Sequence, residues 1–141
     1  MAGVGLDDPV IDYLRRDALR FEAGASDDER LNRIEGLLAE FNQDLEQTVP
    51  LMAGLLQVPL GQRYRPPGSS PQVQRQATMD LLINLLTERS NRQPVLFVLE
   101  DLHWADPTTI DLLNQLFDEV PAHAVMVAIT VRTPFESPWP N

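Results

Sequence analysis

The change of hydrophobic period at Pro94 constrains this chain more than any other feature. Before it, apolar residues recur at spacings of three and four; after it come two unbroken apolar runs, Val95–Leu99 and Ala124–Thr130, separated by one amphipathic segment. Spacings of three and four put side chains on one face of a helix. A short continuous run suits a strand buried on both faces of a parallel sheet. Strand, helix, strand in this order is a βαβ unit. The expected fold class is therefore α/β: a helical N-terminal half, residues 1–92, followed by a βαβ unit with parallel strands, residues 93–141.

Within the helical half, Asp8-Pro9 opens a first helix with Ile11, Leu14, Ala18 and Phe21 as its apolar stripe and Gly24 as its stop. Ser26 and Glu29 form a capping-box pattern ahead of a second helix striped by Leu31, Ile34, Leu38, Phe41 and Leu45. A short third helix is expected from Pro50 to Gln57, then a Pro/Gly-rich loop from Pro59 to Pro71. Ser70-Pro71 starts a long helix reaching about Arg89, with Val73, Ala77, Leu81, Leu82, Leu85 and Leu86 inward. Core packing accounts for all of these residues. In the second unit Asp106-Pro107 starts a helix lined by Ile110, Leu113 and Phe117, ending at Pro121.

Composition narrows the function classes. All 11 basic residues are arginines, which excludes from these residues the lysine of a phosphate-binding P-loop and any Schiff-base chemistry. Cysteine is absent, so there is no disulfide, thiol nucleophile or thiolate metal site. The net charge is −10 and the pI about 4.4, a surface that repels phosphate backbones and anionic lipid; neither nucleic acid nor membrane is expected as a partner. No apolar run approaches the ~20 residues of a membrane span, and Met1–Asp8 lacks the basic-then-apolar order of a signal peptide. A cytoplasmic location is expected.

Parallel strands finish on the same edge of a sheet. Glu100 and Asp101 follow the first apolar run, while Thr130 and Arg132 close the second. With neighbouring strands about 4.8 Å apart, two carboxylates would face a hydroxyl and a guanidinium where open α/β sheets bind ligands. An apolar run ending in two acids is the Walker B arrangement. One carboxylate holds Mg²⁺, usually through water, and the other orients or deprotonates the attacking water. The same pair also reads as a solvated acidic turn. His103 could join Glu100, Asp101 or Asp106 at a divalent metal, or simply fix the hydrogen bonds of the turn. Asp106 reads as an N-cap, Trp104 as a packing residue, His123 as a loop residue. Arg63 and Arg65, beside Tyr64 in the proline-rich loop, read as an exposed linker that could reach a nucleotide or partner.

The stretch from Gln93 to Thr108, with its Glu100-Asp101-Leu102-His103-Trp104-Ala105-Asp106-Pro107 core, resembles the ATPase module of a large bacterial family. In that family a class III adenylate/guanylate cyclase domain is commonly followed by a STAND-type, AAA-related P-loop ATPase and tetratricopeptide-like repeats. Val49–Leu56 and Pro59–Tyr64 are similar to the family's helix and loop before Walker B, and Thr130-Val131-Arg132 with Pro138-Trp139-Pro140 to its sensor-1 strand end. The resemblance implies a partial P-loop NTPase fold. It implies Glu100 at the Mg²⁺-associated place, Asp101 as catalytic acid, and Thr130 and Arg132 as the sensor-1 group near the γ-phosphate. ATP and Mg²⁺ are then the cofactors of the complete module, and an upstream Walker A segment and a cyclase or other effector its partners. No glycine cluster with Lys-Ser/Thr occurs in the sequence, so the expectation is a fragment running from after Walker A through sensor 1, with little affinity for ATP alone. The alternative is a non-catalytic acidic helical interaction protein. Two strands with unpaired edges point to marginal stability or self-association of the chain alone.

Overall fold

Ser26 and Glu29 organise the N-terminal half. The Ser26 hydroxyl accepts from the Glu29 N–H and the Glu29 carboxylate accepts from the Ser26 N–H, the reciprocal pair their spacing predicts. The computed structural model describes residue 11, residues 13–100 and residues 107–131, with backbone alone at 107–109. The expected helix start at Asp8-Pro9 lies outside these residues. The N-terminal segment forms a π-helical turn at Leu14–Ala18, closed by the Leu19 N–H on the Leu14 carbonyl at 2.8 Å. The helix stops there and not at Gly24, because Arg20 takes a left-handed conformation (φ 52°) and turns the chain back.

Helix α1 spans Asp27–Glu40 and buries Leu31, Ile34 and Leu38. The expected stripe through Leu45 is interrupted. Asn42 adopts φ 55°, the Gln43 N–H reaches back to the Leu38 carbonyl at 2.9 Å, and Asp44 then caps a new helix by accepting from the Glu46 N–H. That helix, α2, is Leu45–Leu56, so it begins well before Pro50 and carries the proline inside. Burial of Val49, Pro50, Met52, Ala53, Leu55 and Leu56, added to the Asp44 cap, offsets the internal hydrogen bond that proline forgoes.

Helix α3, Pro71–Ser90, starts at Ser70-Pro71 as expected, but its buried side is different. Val73 is 56% exposed, whereas Thr78, Met79, Leu81, Ile83, Thr87 and Ser90 are buried. No single stripe results, since α3 packs against α2 and against the unit C-terminal to it. Its buried hydroxyls are satisfied within the helix: Thr78 on the Gln74 carbonyl, Thr87 on that of Asn84, and Ser90 on that of Thr87.

Strand β1 (Val95–Leu99), helix α4 (Pro107–Glu119) and strand β2 (Val125–Ile129) complete the chain, with a 3-10 turn at Val120–Ala122. The strands are parallel neighbours, Val95 opposite Val125 and Leu99 opposite Ile129. The expectation of burial on both faces is overturned. Phe97, Leu99, Val127 and Ile129 pack on Leu113 and Leu116 of α4, but Leu96 and Met126 are 61% and 67% exposed on the other face. One crossover helix covers one side of a sheet, and among the described residues nothing covers the second. Leu112 of α4 joins the core built by α1, α2 and α3, so the helices and the βαβ unit share apolar packing.

Three arginines tie distant segments together. Arg15 donates to the Leu56 carbonyl at 3.0 Å, one of the unpaired acceptors at the end of α2. Arg92 donates to the Glu40 carboxylate at 2.8 Å and lies 4.5 Å from the Phe41 ring centroid. Arg63 is no free linker residue: it donates to Asn32 Oδ1 at 2.9 Å and pairs with Glu35, whose Oε1 also accepts from the Tyr64 hydroxyl at 2.7 Å. The proline-rich loop is thus pinned to α1.

Burial and the Glu35 hydrogen bond push the Tyr64 phenol up to about 12 from its ordinary 10.0, with the Glu35 and Glu46 charges adding to the rise and Arg63 opposing it. The folded state therefore holds the phenol proton more tightly than the unfolded chain does. Its stabilisation is complete below pH ~10 and is lost as pH rises toward ~12. Tyr64→Phe should flatten the fall of stability over that window in denaturant titrations and cost about 1 kcal/mol at neutral pH. Ser26→Ala should lower stability by about 1 kcal/mol at all pH values, read as a lower melting temperature.

Candidate functional site

The edge at the C-terminal end of the sheet follows from the strand pairing. The Val95 N–H donates to the Ala124 carbonyl at 2.8 Å at one end, and the Thr130 N–H donates to the Leu99 carbonyl at 2.9 Å at the other. The ladder therefore continues one residue past β2, and Glu100 and Thr130 emerge side by side. Both are exposed. Helix α4 fixes the edge from below through Leu113 and Leu116, while the Arg92 contacts with Glu40 and Phe41 anchor the approach to β1.

Of the residues expected at this site, the structure brings Glu100 and Thr130 to one edge. Asp101 and Arg132 lie outside the described residues, as do His103, Trp104 and Asp106. His123 sits in the turn before β2 with Nε2 3.9 Å from the Glu119 carboxylate, the loop position its sequence context suggests. Among the described residues no three His, Asp or Glu side chains converge as a metal site, and no helix is long and apolar enough to cross a membrane. An exposed carboxylate beside a hydroxyl offers hard oxygen donors, the type that suits Mg²⁺.

Sequence reasoning misses two groupings. One is the Arg63–Glu35–Tyr64 clasp, which needs knowledge that the loop folds back on α1. The other is a cavity of about 290 Å³ where the segment after the π turn meets α1, lined by Arg20, Arg30 and Arg33 among others. Arg30 and Arg33, three residues apart on a helix, are the available signal for it.

The chain matches the family model of the AAA ATPase domain over residues 6–129, a span that takes in both strands and Glu100 but ends before Thr130 and Arg132. Uncharacterized protein R02095 of Rhizobium meliloti (strain 1021) is 30% identical over 69 residues, 49% of this chain and 7% of that protein. The chain thus corresponds to a small part of that relative's length. No solved structure matches significantly. The two-stranded parallel sheet with its crossover helix is compatible with part of a P-loop NTPase fold, and the extent of the match shows that the chain belongs to the AAA ATPase domain family, whose members are ATP-binding P-loop NTPases.

Proposed function

We propose that the edge carrying Glu100, Asp101, Thr130 and Arg132 is the magnesium-side wall of an ATP site, in a STAND-type signalling module that couples nucleotide state to a cyclase or transcriptional-regulator effector. The observation that carries this reading is the parallel register, which sets Glu100 and Thr130 on one edge. The AAA family membership supports it. Residues 1–92 serve as the helical scaffold and residues 93–141 carry the site.

Magnesium-bound ATP supplies an electrophilic γ-phosphoryl group with part of its charge neutralised. With that group bound, Glu100 would hold the metal's water shell, Asp101 would orient the attacking water and accept its proton, and Thr130 and Arg132 would donate to phosphate oxygens. The donor set fits the metal side of such a site and no more. Backbone amides of a glycine-rich loop and a lysine furnish most phosphate affinity in this fold, and these 141 residues contain no lysine. That loop must come from another segment, and by itself this chain binds ATP weakly.

Manganese can replace magnesium as a paramagnetic probe. On titrating the chain with Mn²⁺, the amide signals of Glu100 and Thr130 should broaden together, and Glu100→Gln should weaken the effect severalfold. Broadening at neither residue, or at Glu100 without Thr130, would sink the shared edge. Tight ATP binding by this chain alone would overturn the requirement for an external phosphate loop.

The exposed sheet face favours a second reading, an interaction protein that associates through Leu96, Val98 and Met126. Leu96→Thr should then shift sedimentation-velocity profiles toward monomer with little change in melting temperature. A wild-type chain that stays monomeric as its concentration is raised would count against association.

A further inference from the structure

The cavity beside the π turn has no part in the sheet edge, and neither strand lines it. Its walls arise from two local features. The widened turn ending at Leu19, with Arg20 left-handed and the Phe21 N–H on the Arg15 carbonyl at 2.8 Å, turns Arg20, Phe21 and Glu22 to face α1. Across the gap α1 presents Arg30 and Arg33 from adjacent turns.

In a chain of net charge −10, three of the 11 arginines meet at this one cavity. None of the three forms an ion pair among the described residues, although Glu22 and Glu29 also line the space. The Glu29 carboxylate is instead committed to the Ser26 N–H at 2.8 Å. Most telling is Arg30. Its guanidinium carbon lies 5.9 Å from the Phe21 ring centroid, and its Nε is buried without a hydrogen-bond partner among the described residues. Buried donors are nearly always paired, so an Nε–H closed off without a partner is a cost that a small shift of the Arg30 side chain toward an acceptor in the cavity would relieve.

We propose that this cavity is a binding site for a phosphate group, either free or carried by a small organic molecule. Guanidinium forks match both carboxylates and phosphates. Three guanidiniums approaching from two walls are better met by a tetrahedral anion, whose oxygens point several ways, than by the two coplanar oxygens of a carboxylate. The Phe21 ring adds an apolar wall against which an organic substituent can lie.

The test is a titration of the full chain, following arginine Nε–H signals by NMR, with inorganic phosphate, phenyl phosphate and acetate at matched ionic strength. The Arg30 signal should move saturably with phosphate and not with acetate. Arg30→Gln and Arg33→Gln should each weaken binding about tenfold or more, while Arg75→Gln, on the exposed side of α3, should leave it unchanged. Thermal melts establish that each variant is folded, and two independent variants guard against one that is not. Tighter binding of phenyl phosphate than of inorganic phosphate supports an organic ligand seated on Phe21; equal binding supports the free anion. Absence of saturation, an equal response to acetate, or equal weakening by Arg75→Gln would overturn the site.

Discussion

The parallel pairing of β1 with β2 is the constraint on which the functional reading depends. Two strands joined by a helix on one side can run parallel and in register only if both finish at the same edge. That topology brings Glu100 and Thr130 to one edge. A hairpin with the same two runs would place them at opposite ends. The hydrogen bonds at the two extremities of the ladder, Val95 to Ala124 and Thr130 to Leu99, define how far the edge extends. Helix α4 supplies the apolar floor that keeps it there.

The helical half holds this unit through apolar contact and through arginine. Leu112 inserts into the core of α1, α2 and α3, while Leu86 of α3 packs on the cluster beneath the strands. Arg15, Arg63 and Arg92 each reach a carbonyl or carboxylate far away in sequence, and Arg92 also lies against an aromatic ring. A planar fork with several fixed donors serves such ties better than an ammonium group, since it bonds two acceptors at once. The lack of lysine therefore has two opposite consequences. It removes the phosphate-gripping residue of a P-loop, and it leaves arginine as the sole cationic side chain for bridging segments.

How much of the fold is legible in the sequence depends on how local each signal is. The Ser26–Glu29 box, the Ser70-Pro71 start and the two strands depend on near neighbours and are readable. The break between α1 and α2 is not, because Phe41 and Leu45 keep helical spacing across a left-handed Asn42, and Asn tolerates that conformation without glycine's signature. Pro50 misleads for a related reason: proline marks a helix start statistically, but this helix starts at the Asp44 cap upstream and packs the proline into the core with the rest of its apolar face. The two-sided burial expected of β1 fails because hydrophobic runs report what a strand is suited to face, not what is there to face it. At the candidate edge, Glu100 and Thr130 are legible from topology alone, whereas the arginine cavity requires the tertiary approach of the segment after the π turn to α1.

The uncovered face and the candidate edge belong to the same two strands, so they cannot vary independently. Leu96, Val98 and Met126 are each about half to two-thirds exposed. Covering them would recover roughly 3 kcal/mol, taking about half of the usual gain for fully burying each side chain. Whatever layer supplies that cover binds the paired strands and not the separated ones, and by linkage it stabilises the pairing by the same amount. The pairing sets Glu100 beside Thr130, so a layer over the outer face would also favour a group that spans the two residues. The exposed apolar face is therefore not merely an aggregation hazard. A layer bound there would bias how often the edge is assembled.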